Sequence, residues 1–163
     1  MALLTILSTG IYLPIWIGLS WAELRRETGD ERMQPVGHAL SMVVPGYNYW
    51  QIYQHFSLLA AQLAKVGAKT NLDPLSATLG AALFSLTFFH WSQDLVFTIL
   101  NVIELAAATA VVVYGQRALN AYYLARPGEP VDQRVLEVDW IALALAATNF
   151  VLVVLSYATP SST

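Results

Sequence analysis

The chain of 163 residues contains no cysteine. Disulfide bonds, thiolate ligands for a metal and cysteine nucleophiles are therefore excluded. Charge is also scarce, because Asp, Glu, Lys and Arg make up 12% of the residues, about half of the roughly 25% that is typical of soluble domains. The formal net charge is −3, so the chain lacks the basic excess of nucleic-acid-binding domains. We expect no nucleic-acid partner.

Sequence motifs of catalysis are missing as well. There is no phosphate-binding glycine loop, no nucleophile elbow and no His-Glu-x-x-His pattern. No two of the three histidines lie at metal-ligand spacing on one predicted helix. We therefore predict that the protein is not an enzyme, that it binds no metal and that it has no required cofactor.

What the sequence has in abundance is apolar residues, at 56% of the chain, with a mean hydropathy of +0.53. A helix needs about 20 predominantly apolar residues to cross the hydrocarbon core of a bilayer. We predict a single-domain, all-α integral membrane protein with extensive lipid contacts. Its four transmembrane helices are expected at residues 3–24, 74–91, 95–116 and 140–157.

Local signals mark some of the helix ends. Pro74 suits the first turn of a helix, and Asp73 or Asn71 before it is a suitable N-cap. The third predicted span continues in helix-compatible sequence, and Pro127 followed by Gly128 is expected to stop it.

The segment 36–65 is different, because Pro45 and Gly46 interrupt it. On a helical wheel its polar residues after the break occupy roughly a third of the circle. The predicted polar face consists of Asn48, Gln51, His55 and Gln62, flanked by Gln54 and Lys65. A spanning helix exposed to lipid would not carry such a face. We expect this amphipathic segment to lie at the membrane interface, to re-enter the membrane, or to turn its polar face toward other helices.

The positions of the basic residues favour a topology. All eight lie after the first span, after the amphipathic segment, or between the last two spans. If the segment 36–65 does not cross, both termini are on the periplasmic side of the inner membrane and all eight basic residues are cytoplasmic, as the positive-inside rule requires. Five spans, with the segment crossing, is the alternative.

One carboxylate lies inside a predicted span. Glu104 is about 15 Å along the helix that starts near Asp94, with Asn101 one turn before it and Asn149 at similar depth in the last span. We predict an interhelical polar cluster of these three side chains, in which a neutral Glu104 links helices. The alternative is a proton or ion path, since acids within membranes often mark such paths.

Other side chains have two interpretations each. His90 and His55 are candidate ligands for a bound pigment or haem, although interfacial histidines are the simpler interpretation. Small residues four apart, at Ser76 and Gly80 and again at Ala142 and Ala146, allow close helix packing. The aromatic residues are expected to form an interfacial belt. Its members are Tyr12, Trp16, Trp21, Tyr47, Tyr49, Trp50, Tyr53, Trp91 and Trp140.

Three stretches, "TGIYLPIW", "VPGYNYWQIY" and "QRALN", resemble in their order and spacing a family of small bacterial membrane proteins, the domain-of-unknown-function 4234 family. The likeness covers roughly residues 5 to 125, and the last predicted span looks like an addition. The resemblance implies a compact multi-span fold and no catalytic residues.

These observations lead to two functional hypotheses. The first is a non-enzymatic accessory or structural subunit that packs against other subunits of a larger membrane complex. A photosynthetic or respiratory complex is the kind of assembly that this hypothesis includes. The second is an active membrane component, which either conducts protons or ions or binds a pigment or haem.

Overall fold

The computed structural model describes residues 1–31, 33–41, 44, 46–69, 71–85 and 94–128, together with positions 140, 143, 144, 147, 148, 151 and 155. Over these residues the chain is α-helical and contains no strand, which confirms the predicted all-α class. The described helices are α1 (Ala2–Leu7), α2 (Tyr12–Thr28), α3 (Pro35–Ser41), α4 (Tyr47–Lys65), α5 (Pro74–Ser85) and α6 (Leu95–Ala125).

The first predicted span, 3–24, is not one continuous helix. It is divided into α1 and α2, because Thr9 and Gly10 adopt positive φ angles of 49° and 90°. The backbone N–H of Tyr12 then donates to Oγ of Ser8 (2.9 Å), so that this hydroxyl satisfies an N–H group at the start of α2. A Cβ atom on Gly10 would lie closer than 3.0 Å to the ring of Phe84. The break therefore brings backbone against a side chain of α5.

The amphipathic segment forms two helices. The interruption predicted at Pro45 and Gly46 is present, since α3 ends at Ser41 and α4 begins at Tyr47, after Gly46 with a φ of 82°. The helix α3 packs alongside α2, where a Cβ on Gly18 would lie 3.0 Å from that of Ala39.

The helix α5 begins as the sequence predicts. The carboxylate of Asp73 accepts hydrogen bonds from the backbone N–H groups of Leu75 (3.2 Å) and Ser76 (3.0 Å). A bond from the Ser76 hydroxyl, together with these two backbone bonds, lowers the pKa of Asp73. Of the predicted span 74–91, α5 covers the part up to Ser85, and the remainder lies outside the described residues.

The helix α6 is the longest described helix. It extends beyond the predicted span 95–116 to Ala125, just before Pro127 and Gly128, as expected from those residues. Its 31 residues span about 46 Å. Most of the last predicted span, 140–157, lies outside the described residues, and the positions described within it are helical.

Small residues let α5 approach α6 closely. The buried residues on α5 are Ala77 and Ala81, and a Cβ on Gly80 would lie 2.7 Å from Cγ2 of Val111 on α6. Gly80 is therefore the residue of α5 at which the close approach to α6 is seen. Ser76, which was paired with Gly80 in the predicted packing motif, is instead exposed and bonded to Asp73.

One described helix, α6, is long and apolar enough to cross a membrane. The core helix of a soluble protein can pass the same test, but it would be mostly buried. Only 22% of the most apolar window of α6 is buried. The fold thus weakly indicates membrane association.

Candidate functional site

The most chemically distinctive part of the described structure is a cluster of aromatic and imidazole rings where α2, α3 and α4 meet. We call it the ring cluster, and it consists of Trp16 and Trp21 from α2, His38 from α3, and His55 and Phe56 from α4.

His55 is the centre of the ring cluster and is fully buried. Its Nε2 atom lies 3.0 Å from Oγ of Ser20, and that hydroxyl donates its proton to the carbonyl of Ile17 (3.0 Å). Because a serine hydroxyl has a single proton, both contacts are hydrogen bonds only in the tautomer in which Nε2 of His55 donates to Ser20 and Nδ1 carries the lone pair. Among the described residues, Nδ1 has no hydrogen-bond partner.

Burial keeps His55 uncharged. Desolvation disfavours the imidazolium form and lowers the pKa of His55 to about 3, and the charge of a protonated His38 would lower it further. His55 is therefore a neutral imidazole at physiological pH, with an acceptor nitrogen inside the fold.

Trp21 lies between the two histidines. Its ring is stacked on that of His38 (centroids 4.4 Å apart, 23° between planes) and tilted toward that of His55 (5.2 Å, 50°). The indole is 5% exposed, and its Nε1 donor finds no acceptor in the described part of the chain. A buried polar group without a partner costs about 1–3 kcal/mol, so two such groups on adjacent rings require an explanation.

His38 connects the ring cluster to the surface. It is half-buried and hydrogen-bonded to Gln51, whose Nε2 in turn donates to the hydroxyl of Tyr47 (2.7 Å). Burial lowers the pKa of His38, and the bond with Gln51 partly opposes this shift. Tyr47 itself is exposed, so a chain of hydrogen bonds runs from the surface to the ring stacked on Trp21.

Trp16 connects the ring cluster to α6. Its ring meets that of His55 edge to face (5.8 Å, 85°), and its Nε1 donates to Oε1 of Gln116 (2.9 Å). A Cβ atom on Gly115 would lie closer than 3.0 Å to the Trp16 ring. The indole of Trp16 therefore rests directly on the backbone of α6.

The predicted polar face of α4 is buried and does not lie on an exposed interfacial surface. Asn48, Gln51, His55 and Gln62 are all less than a tenth exposed. The contacts of His55 with Ser20 and of Gln51 with His38 show that this face meets α2 and α3. Of the three placements considered, the described contacts correspond to the one in which the polar face turns toward other helices.

The predicted cluster of Asn101, Glu104 and Asn149 is described in part. Glu104 is buried and Asn101 is half-buried, one turn apart on α6. Asn149 lies outside the described residues, so the three-residue cluster stays a prediction.

Of the two predicted pigment or haem ligands, the structure describes His55 only. His90 lies outside the described residues. His55 has the rings of Trp16, Trp21 and Phe56 within 5.8 Å of its own, measured between centroids, and its role as a ligand stays a prediction. No group of three or more potential metal ligands occurs among the described residues.

The sequence did not identify the ring cluster as a unit. Trp16 and Trp21 were assigned to an interfacial belt, but both are buried. No functional site was predicted from the sequence at Ser20 or His38. The available signal was helical spacing, because Trp16 and Ser20 are four residues apart on α2, as are Gln51 and His55 on α4, and such pairs share a helix face. Trp50, in contrast, is 53% exposed, as a belt residue should be.

No family model, curated protein or solved structure matches the chain. The resemblance to the domain-of-unknown-function 4234 family therefore stays a prediction.

Proposed function

We propose that the protein is a non-enzymatic accessory subunit that spans the bacterial inner membrane several times and packs against other subunits of a larger membrane complex. The observation that carries this proposal is the exposed apolar surface on the first half of α6. An apolar surface of this kind needs a cover of lipid or protein.

The exposed residues of α6 form a long apolar face. Leu95, Val96, Ile99, Val102 and Ile103 are each more than half exposed. Soluble monomers rarely expose contiguous apolar patches of more than a few hundred Å². A helix of this length with such a face is what a lipid-facing span requires.

The helix α5 also exposes an apolar face. Ala77 and Ala81 are buried and Gly80 packs on α6, while Leu75, Leu79 and Leu83 are exposed at intervals of four residues. A helix that is apolar on all sides is expected in a membrane or in the interior of a larger assembly.

The direction of the helices fits the proposed topology. Arg126 and Glu27 form an ion pair, which brings the C-terminal ends of α6 and α2 to the same end of the fold. In the proposed four-span arrangement both ends are cytoplasmic, together with Arg25, Arg26 and Arg117, in agreement with the positive-inside rule. Both termini would then be periplasmic.

A packing role fits the way polar groups are used. The bond from Trp16 to Gln116 and the contact between Ser20 and His55 each join two helices, and interhelical polar contacts of this kind fix helix packing in membranes. We propose the same role for Glu104, as a hydrogen-bonding link between helices. A photosynthetic or respiratory assembly is the kind of complex we would examine first.

The test is extraction of the native membrane with a mild detergent, followed by native size analysis, an absorbance spectrum and mass spectrometry of co-migrating chains. We expect the protein in a particle much larger than its own 17.9 kDa, with other membrane proteins. Migration alone or as a small colourless oligomer would contradict the accessory role. Visible absorbance retained by the protein alone would favour a pigment or haem site instead.

A second candidate function is an ion path, because Glu104 is a buried carboxyl group in the apolar half of α6. The matched variants Glu104→Gln and Glu104→Leu separate the two roles. If Glu104 is a link, Gln retains hydrogen bonding and leaves the complex intact, whereas Leu loosens it. If Glu104 carries protons, Gln abolishes activity of the complex while assembly survives.

A further inference from the structure

We propose that the indole N–H of Trp21 and Nδ1 of His55 form a buried binding site for one small neutral molecule that both accepts and donates a hydrogen bond, with water as its simplest occupant and α3 as its cover. This site does not depend on the proposed function, because it is built from side chains inside the fold.

The two polar atoms are complementary. Trp21 offers a donor that has no acceptor, and in the tautomer that donates from Nε2 to Ser20, His55 offers an acceptor that has no donor. The two rings are neighbours, with centroids 5.2 Å apart and planes tilted by 50°. A water molecule that accepts from the indole and donates to the imidazole would satisfy both, and buried waters typically make two to four such bonds.

The surroundings select a small and neutral occupant. The groups seen against the two rings include the aromatic rings of Trp16 and Phe56, the imidazole of His38 and the Ser20 hydroxyl. Aromatic surroundings do not repay the desolvation of an ion. A molecule larger than a few atoms would have to displace rings that are already in contact.

The helix α3 closes the site from outside. His38 is stacked on Trp21 at 4.4 Å, and none of the seven residues of α3 is fully buried. This short helix is therefore held by few buried side chains, and among its described contacts are the stacking of His38 and its bond with Gln51. Lifting α3 would expose Trp21 without separating α2 from α6, which Trp16 and Gln116 join.

The experiment is nuclear magnetic resonance of the full chain in detergent micelles, with the tryptophan indoles labelled with ¹⁵N. Single Trp→Phe variants assign the indole signals. We expect the Trp21 indole N–H to show a cross-relaxation peak with water while exchanging slowly with solvent. Two tryptophans of the same sample are internal controls. Trp16 is buried and bonded to Gln116, and should show no water peak, whereas Trp50 is exposed and should exchange fast.

Two results would overturn the proposal. If the Trp21 indole lacks a water peak, as Trp16 is expected to, the site holds no water. If it exchanges as fast as that of Trp50, it is open to bulk solvent and is not a buried site.

The role of α3 as a cover is tested with His38→Ala and His38→Phe. Removing the ring should accelerate solvent exchange at the Trp21 indole by about tenfold or more, as local opening becomes easier. Phe keeps a ring over Trp21 and should keep exchange slow. An unchanged Trp16 signal shows in each sample that the variant is folded. Equal Trp21 exchange rates in His38→Ala and the parent chain would contradict a covering role.

Discussion

The indole of Trp16 donates a 2.9 Å hydrogen bond to Gln116, one hundred positions later in the chain, and its ring covers the backbone of the neighbouring Gly115. A polar bond and a close contact thus join α2 to α6 at a single level. Phe56 of α4 reaches the same glycine, since a Cβ there would lie 3.0 Å from its Cε1 atom. Three helices therefore converge where α6 has no side chain.

This convergence predicts that Gly115→Ala is destabilising, although alanine is the better helix former by about 1 kcal/mol. The added methyl would lie closer than 3.0 Å to the Trp16 ring, and overpacking of this kind costs about 1–3 kcal/mol. We expect a net loss of up to about 2 kcal/mol, measured as a lower melting temperature in detergent.

Gly37→Ala is the matched control for that variant. A Cβ on Gly37 of α3 would lie 3.5 Å from the nearest atom, Oε1 of Gln34, which is ordinary contact. We expect this variant to melt at or slightly above the parent temperature. If both variants melt alike, the close packing at Gly115 is not present in solution.

The buried His55 predicts a pH dependence of stability. Its pKa in the folded chain is about 3, below the ordinary 6.5 that applies when the chain unfolds. The unfolded state therefore binds the proton first as the pH falls. The stabilisation is complete above pH 6.5 and is lost progressively toward pH 3, by at most about 1.4 kcal/mol per pH unit.

Thermal unfolding of the parent chain and of His55→Gln between pH 7.5 and 4.5 measures this effect. The amide of glutamine can still donate to Ser20 but does not titrate in this range. The stability difference between the two chains should shrink or reverse as the pH falls below 6.5. A difference that stays constant with pH would show that His55 is not buried as a neutral imidazole.

Helix ends that depend on neighbouring residues were predictable from the sequence. Asp73 before Pro74, and Pro127 with Gly128 after α6, act through local hydrogen bonding and backbone geometry, and α5 and α6 begin and end accordingly. The break at Gly10 was missed because what lies against it is Phe84, in a helix distant in sequence.

The placement of the polar face of α4 was not predictable for a related reason. A helical wheel separates polar from apolar residues, but it cannot say which of them are covered. In the structure the buried arc includes both kinds, with Phe56 and Leu59 beside Gln51 and His55. That arc exists because α2 and α3 offer Ser20 and His38 as polar partners. Tryptophan has the same ambiguity, since an indole suits both a membrane interface and a core.

Tyr114 supplies a prediction about the connection between α4 and α5. Its hydroxyl donates to the carbonyl of Asn71 and accepts from the backbone N–H of Asp73 (2.7 Å), so it holds this loop against α6. Tyr114→Phe removes both bonds and should cost about 1 kcal/mol. We expect faster cleavage by trypsin after Lys69, which is exposed in the same loop.

Tyr53→Phe is the control for the tyrosine variant, because Tyr53 is exposed on α4, away from the loop. Its cleavage rate should equal that of the parent chain. Equal rates for all three chains would mean that Tyr114 does not restrain the loop.

If α6 spans a membrane, the same substitution should have different effects at two positions of this helix. Ile103 and Leu124 are both exposed apolar residues of this helix, but they differ in position by 21 residues, or about 31 Å. If residues 95–116 span the bilayer, Ile103 lies within the hydrocarbon and Leu124 lies beyond it.

Placing arginine at the centre of a span raises the free energy of membrane insertion by about 2.5–3.5 kcal/mol. Placing it at a position in water has almost no such cost. We therefore expect Ile103→Arg to reduce the membrane-integrated fraction, measured by resistance to alkaline extraction, while Leu124→Arg leaves it unchanged. In a soluble protein both substitutions would add a charge to an already exposed position, with little effect on either. Equal behaviour of the two variants would thus remove the basis for placing α6 in a bilayer, and with it the proposed accessory role.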